Sequence, residues 1–157
     1  MVKLWFAIVF LAFLLVPSLT SATKVEPCDR RTKYAVQVTG VEITPNPVER
    51  GEEATFKISA RTGHTITAAK MSIEVKLFGI HVHQEDHDLC DESSCPVAPG
   101  DFIISHSQVL PGVTPPGSYT LKLKMLEENG KELACAHFDF SVAWFANDSE
   151  PVVLADI

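Results

Sequence analysis

The chain has 157 residues and a formal net charge of −7, with 13 basic against 20 acidic side chains. That length suits one domain able to bury a real core. The acidity excludes nucleic acid held by a basic face, and simple adsorption to anionic membranes.

The N-terminus reads as an export signal. Lys3 supplies a positive charge, Leu4 to Val16 run apolar without a break, and Pro17 ends the run. Thr20-Ser21-Ala22 then offers small residues for cleavage after Ala22. The run is shorter than the roughly 20 apolar residues a membrane span needs. Residues 1–22 are therefore expected to be a secretory signal peptide, and 23–157 a single soluble domain with a short polar C-terminal tail. Lys3 is the only charge in the signal, so cleavage makes the remainder more acidic.

Beyond the signal, period two dominates. Tyr34 to Val38 alternates, Gly40 allows a bend, and Val41 to Ile43 follows before Pro45 and Pro47. Ala54, Phe56, Ile58 and Ala60 alternate with polar residues, as do Met71, Ile73, Val75 and Leu77. Phe102-Ile103-Ile104 begins a strand after Pro99-Gly100, and Tyr119, Leu121, Leu123 and Met125 form the next. Asn129-Gly130 predicts a type I′ hairpin turn. It delivers the chain into Leu133 to Val142, where Ala134, Ala136, Phe138, Phe140 and Val142 share one face. No helical period is sustained after the signal. About seven short strands predict an all-β, immunoglobulin-like antiparallel β-sandwich.

Four cysteines in an exported chain read as two disulfides, which could pair in three ways. Sequence distance favours Cys90–Cys95, leaving Cys28–Cys135 to tie the two ends of the domain together.

Four stretches resemble the ML lipid-recognition family, which includes the Niemann-Pick lysosomal sterol carrier and phospholipid-transfer-like proteins. Pro27-Cys28-Asp29 is similar to the family's first cysteine after signal cleavage, and Leu89 to Val97 to its small cysteine loop closed by Cys-Pro. Leu133 to Val142 is similar to its final strand, and Ile43 to Pro47 to the turn after its first. The sterol-carrier branch has a further disulfide around the turn occupied here by Pro45 to Gly51, which holds no cysteine. Sterol and phospholipid are thus equally open.

The resemblance implies a non-catalytic carrier whose two sheets stand apart around an apolar cavity holding one sterol or phospholipid. The cavity set it implies is Phe56, Ile58, Ile73, Val75, Leu77, Leu121, Leu123, Phe138 and Phe140. The implied entrance lies between the segment from Phe78 to His83 and the segment from Leu110 to Gly117, with Ile80, Val82 and Val113 at its lips. The expected partners are the lipid itself, a membrane met transiently and, as a candidate, a membrane-protein receptor. No cofactor, no nucleic acid and a monomeric state are expected. The route is secretory, ending outside the cell or apoplast, or in a vacuole or lysosome.

Other readings compete. His81, His83, Glu85, Asp86, His87 and Asp88 form a cluster of zinc- or copper-type ligands, since His81 and His83 on one strand would face the same way. Its acidity reads instead as a solvated loop, and no metal is expected. A softer role for His81, His83 and His87 is charging at low pH beside the entrance. Cys135-Ala136-His137 hints at a copper protein, but no methionine follows it in that strand or in the tail. Gly-x-Ser-x-Gly, Gly-rich phosphate-loop and His-Glu-x-x-His motifs are absent from the sequence, so no enzyme is expected. Asn147-Asp148-Ser149 is a glycosylation sequon. The alternative function is a secreted recognition or signalling module with no bound lipid.

Overall fold

The computed structural model describes residues 23–144, so the signal segment and Asn147 lie outside the described residues. Eight strands form: β1 Val25–Pro27, β2 Val36–Thr44, β3 Glu53–Thr62, β4 Lys70–Leu77, β5 Ile80–Asp88, β6 Gly100–Val109, β7 Gly117–Leu126 and β8 Glu132–Val142. Among the described residues a single helical turn, α1 Leu89–Glu92, follows β5. One sheet has the order β1-β8-β7-β4-β5 and the other β2-β3-β6, with every neighbouring pair antiparallel.

Alternation places the core. β3 buries Ala54, Phe56, Ile58 and Ala60; β7 buries Tyr119, Leu121, Leu123 and Met125. The expected inner face of β8, from Ala134 to Val142, is buried throughout. Both disulfides form: Cys28–Cys135 fastens the exit of β1 to β8, and Cys90–Cys95 closes the loop that begins in α1.

One local reading is refined and two are corrected. The runs Tyr34–Val38 and Val41–Ile43 belong to one strand, β2, because the register jumps from Val38 to Gly40 and a bulge at Thr39 shifts the phase without ending the ladder. The acidic histidine run is a strand, β5, paired along the whole of β4 from Lys70↔Asp88 to Leu77↔Ile80. An edge strand tolerates such a composition, and charged side chains turned inward there discourage further pairing. Asn129-Gly130 does not make a type I′ turn. The Gly130 amide donates to the Glu127 carbonyl at 2.9 Å and the Glu127 amide to the Lys131 carbonyl at 2.9 Å. Gly130 is left-handed (φ 84°) and Asn129 is not, which is a type I turn followed by a glycine bulge. The two-residue turn with both residues left-handed is Phe78-Gly79, φ 50° and 80°, joining β4 to β5.

The sheets do not meet evenly. Their backbones come closest where β2 faces β1 and β8. On the opposite side lie the two other edge strands, β5 and β6, and α1 bridges them. The space between the sheets survives on that side.

Candidate functional site: a cavity between the sheets

A cavity of about 360 Å³ opens between the sheets. Its walls come from β3 (Phe56), β4 (Ile73, Val75, Leu77), β5 (Val82, His83, Glu85), β6 (His106, Gln108), β7 (Tyr119, Leu121) and β8 (Phe140, Val142). The loop after β6 adds Leu110, Pro111, Val113, Thr114 and Pro115.

The structure divides the expected cavity set. Phe56, Ile73, Val75, Leu77, Leu121 and Phe140 line the hollow, while Ile58, Leu123 and Phe138 are buried away from it in the close-packed core. Alternation decides which face a side chain takes. Distance along the strand decides whether that face meets a neighbour or a void. Leu123 and Leu121 share one face of β7, yet Leu123 lies opposite Ile73 and Ala136, and Leu121 opposite Val75 and Phe138. Of the expected entrance residues, Val82 and Val113 belong to the lining and are exposed, Val113 at 89%. Ile80 stands outside the lining, 69% exposed beside the still more exposed Phe78.

A bulge sets the orientation of β5. Val75 pairs with His83 and Lys76 with His81, so Val82 is the extra residue. His83 therefore shares the inner face with Val75, and His81 the outer face with Lys76. The expectation that His81 and His83 face the same way fails for this reason. Below the bulge, His83 and Glu85 face the cavity and His87 follows on the same side, opposite Met71.

Sequence reasoning did not assign Tyr119, Gln108, His83, Glu85, His106 or Val142 to the cavity. Tyr119 shares its alternating face with Leu121, and its hydroxyl donates to the Pro115 carbonyl at 2.6 Å while its ring stacks on Phe140 at 5.4 Å. It pins the proline loop over the mouth, and burial pushes its phenol above the usual range. His106 was legible too: extending the Phe102–Ile104 alternation by one step puts it inside, where it is only 4% exposed. Glu85 sits among imidazoles. Burial acts to raise its carboxyl, but His83, His106 and His87 together hold it below the ordinary carboxylate value. The lining is thus apolar along β3, β4 and β8 and, apart from the Tyr119 hydroxyl, along β7, with its other titratable groups on the wall made by β5 and β6.

Aromatic contacts hold the hollow's shape. Phe56 meets Phe140 edge-on at 5.5 Å and tilts against Phe138 at 6.4 Å. A void with such walls receives an apolar guest by restoring dispersion contacts that the lining lacks.

An antiparallel sandwich parted along one side around an apolar hollow defines the fold class. The ML domain model matches residues 22–142, and the chain belongs to that family. The phosphatidylglycerol/phosphatidylinositol transfer protein of Kluyveromyces lactis is 28% identical over 117 residues, 69% of this chain and 68% of that one. An MD-2-related lipid-recognition protein of Arabidopsis thaliana is 28% identical over 116 residues, 69% of this chain and 70% of that one. Among solved structures, a Niemann-Pick type C2 protein from the Japanese carpenter ant superposes with a TM-score of 0.60. The match covers 76% of this chain and 99% of that one at 13% identity, which shows the shared fold. The resemblance carried by the cysteine loop and final strand is borne out.

Proposed function

We propose that this chain is a non-catalytic lipid carrier that holds one sterol or phospholipid between its sheets and delivers it to a membrane or partner. The observation that carries this reading is the largely apolar cavity of about 360 Å³ between the sheets, with exposed Val82 and Val113 in its lining. That volume falls within the roughly 300–1,000 Å³ of small-ligand sites. A guest gains about 25 cal/mol for each Å² of its apolar surface taken out of water. Family membership supports the reading, as do the names of the fungal and plant relatives. The lipid is cargo, and transfer needs no cofactor.

Exposed Phe78, Ile80, Val82 and Val113 form the part of the molecule suited to touching a bilayer while the guest passes. The chain is acidic, so this contact is apolar rather than electrostatic, and a membrane-protein receptor could replace the bilayer at the same rim. Two disulfides and the apolar N-terminal segment support passage through the secretory route to an extracellular or vacuolar-lysosomal destination. The working unit in this reading is a monomer.

Native mass spectrometry of the protein purified from a secreting host tests the reading. A carrier keeps or takes up lipid at one per chain, and transfers a labelled lipid between vesicles. A protein that stays empty with both sterol and phospholipid vesicles is the recognition module instead.

A further inference from the structure

The polar wall of the cavity has a geometry that lipid binding does not call for. His106 from β6 and His87 from β5 stack edge-to-face with ring centroids 4.8 Å apart. Glu92, carried across by α1, places one oxygen, Oε1, 3.2 Å from His106 Nδ1 and 3.4 Å from His87 Nδ1. His106 Nδ1 is hydrogen-bonded to Glu92, and the tautomer with Nδ1–H toward that carboxylate is the one that leaves each Nε2 lone pair free to bind a cation. Both Nε2 atoms then converge on a single oxygen of Glu85, His106 at 3.1 Å and His87 at 3.4 Å. His87 Nε2 is buried there with no hydrogen-bond partner. Glu85's other oxygen is taken by His83 Nε2 at 3.3 Å.

We propose that His87 Nε2, His106 Nε2 and Glu85 Oε1 form a binding site for one zinc(II) ion. Two imidazoles and a carboxylate are a known three-ligand zinc set, with a fourth position left open. Bonds of about 2.0–2.1 Å place tetrahedral ligand atoms about 3.3 Å apart, and the two edges to Glu85 already have that length. The three residues bring ligand atoms within 4.8 Å of one another, and a turn of the partly exposed His87 ring shortens the remaining edge. Glu92 supplies the outer carboxylate that fixes tautomer and orientation, here for both histidines at once. The ligands come from the two edge strands of opposite sheets, and α1 with its Cys90–Cys95 loop brings Glu92 to them. Because Glu85 and His106 face the hollow, the open position points toward the cavity. The site joins the sheets on the side where their backbones stand apart. It rests on side-chain geometry and does not require that the cavity hold a lipid.

The test uses full-length protein secreted without a histidine tag, stripped with chelator and titrated with Zn²⁺ or Co²⁺. One ion per chain is expected, with the intense visible absorption of four-coordinate Co²⁺ and a rise in Tm. His87→Asn should weaken binding by about 100-fold or more, and Glu92→Gln by about 10–100-fold. His81→Asn, on the opposite face of β5, should change nothing. Far-ultraviolet circular dichroism of each variant confirms that it folds, and His87, less buried than His106, is the milder replacement. Binding below one ion per chain, or binding that survives His87→Asn but falls with His81→Asn, overturns the site. Lipid stoichiometry read from the same samples separates failure of this site from failure of the carrier reading.

Discussion

Leu121 and Leu123 make the sharpest internal control for the cavity. They stand two residues apart on one face of β7, and both are nearly inaccessible to solvent, but Leu121 borders the hollow and Leu123 does not. Leu→Phe adds three carbons at either position. In a core packed at crystal density, the added volume costs about 1–3 kcal/mol in strain, the expected loss for Leu123→Phe. At Leu121 the ring can enter vacant space, so Leu121→Phe should change the stability of lipid-free protein by less than about 1 kcal/mol. Its cost appears in binding instead. Room for about three methylenes is lost, which at about 0.8 kcal/mol each is about 2.4 kcal/mol, or about fifty-fold in Kd. Urea unfolding of delipidated protein and displacement of a fluorescent lipid read the two effects separately. Equal destabilisation of both variants would show that the hollow is filled. Weaker binding for Leu123→Phe than for Leu121→Phe would move the guest elsewhere, and either result refutes the assignment.

Other expectations follow from single contacts. Phe78 holds φ 50° in a type I′ turn whose preferred sequence is Asn-Gly, so Phe78→Asn should stabilise the protein by about 1 kcal/mol in urea unfolding. If the exposed ring serves membrane contact, the same variant should slow vesicle-to-vesicle transfer without changing lipid stoichiometry. Tyr119→Phe deletes the bond to the Pro115 carbonyl and should cost about 1 kcal/mol, with faster hydrogen exchange confined to residues 111–117. Opening Cys28–Cys135, which spans 107 residues, should cost about 4–5 kcal/mol against about 2 for Cys90–Cys95, which spans five; serine double variants compared by urea unfolding give the order. Arg61 forms paired hydrogen bonds with Asp101 and holds its carboxyl below the usual range. That contribution is complete above the unfolded carboxylate pKa of about 4 and is lost as pH falls through the lowered folded value. The gap in urea midpoint between wild type and Asp101→Asn should therefore shrink on acidification, and a constant gap would refute the coupling.

Much of this architecture was legible because period two reports directly on which side of a sheet a residue faces. Phe56, Leu121 and Phe140 could be placed inside from alternation, and the cysteine spacing gave both disulfides. What alternation cannot report is depth. Ile58, Leu123 and Phe138 obey the same pattern as Phe56 and Leu121, and only the three-dimensional separation of the sheets distinguishes a packed neighbour from a vacant one. Bulges are the second blind spot, since one unpaired residue reverses everything beyond it. Thr39 does so in β2, and Val82 does so in β5, where it turns His83, Glu85 and His87 inward and leaves His81 outside. The turns failed for a related reason. Asn129-Gly130 has the composition of a I′ turn and Phe78-Gly79 does not, but the strands on either side determine which loop has two residues to span. In β5 the pairing with β4 outweighs the left-handed penalty on Phe78, and the phenyl ring stands exposed. The same pairing brings His87 toward His106, a residue 19 positions away on the other sheet. A histidine on the edge strand of each layer, with Glu92 between them on the connecting turn, is a relation between strands that no local pattern encodes.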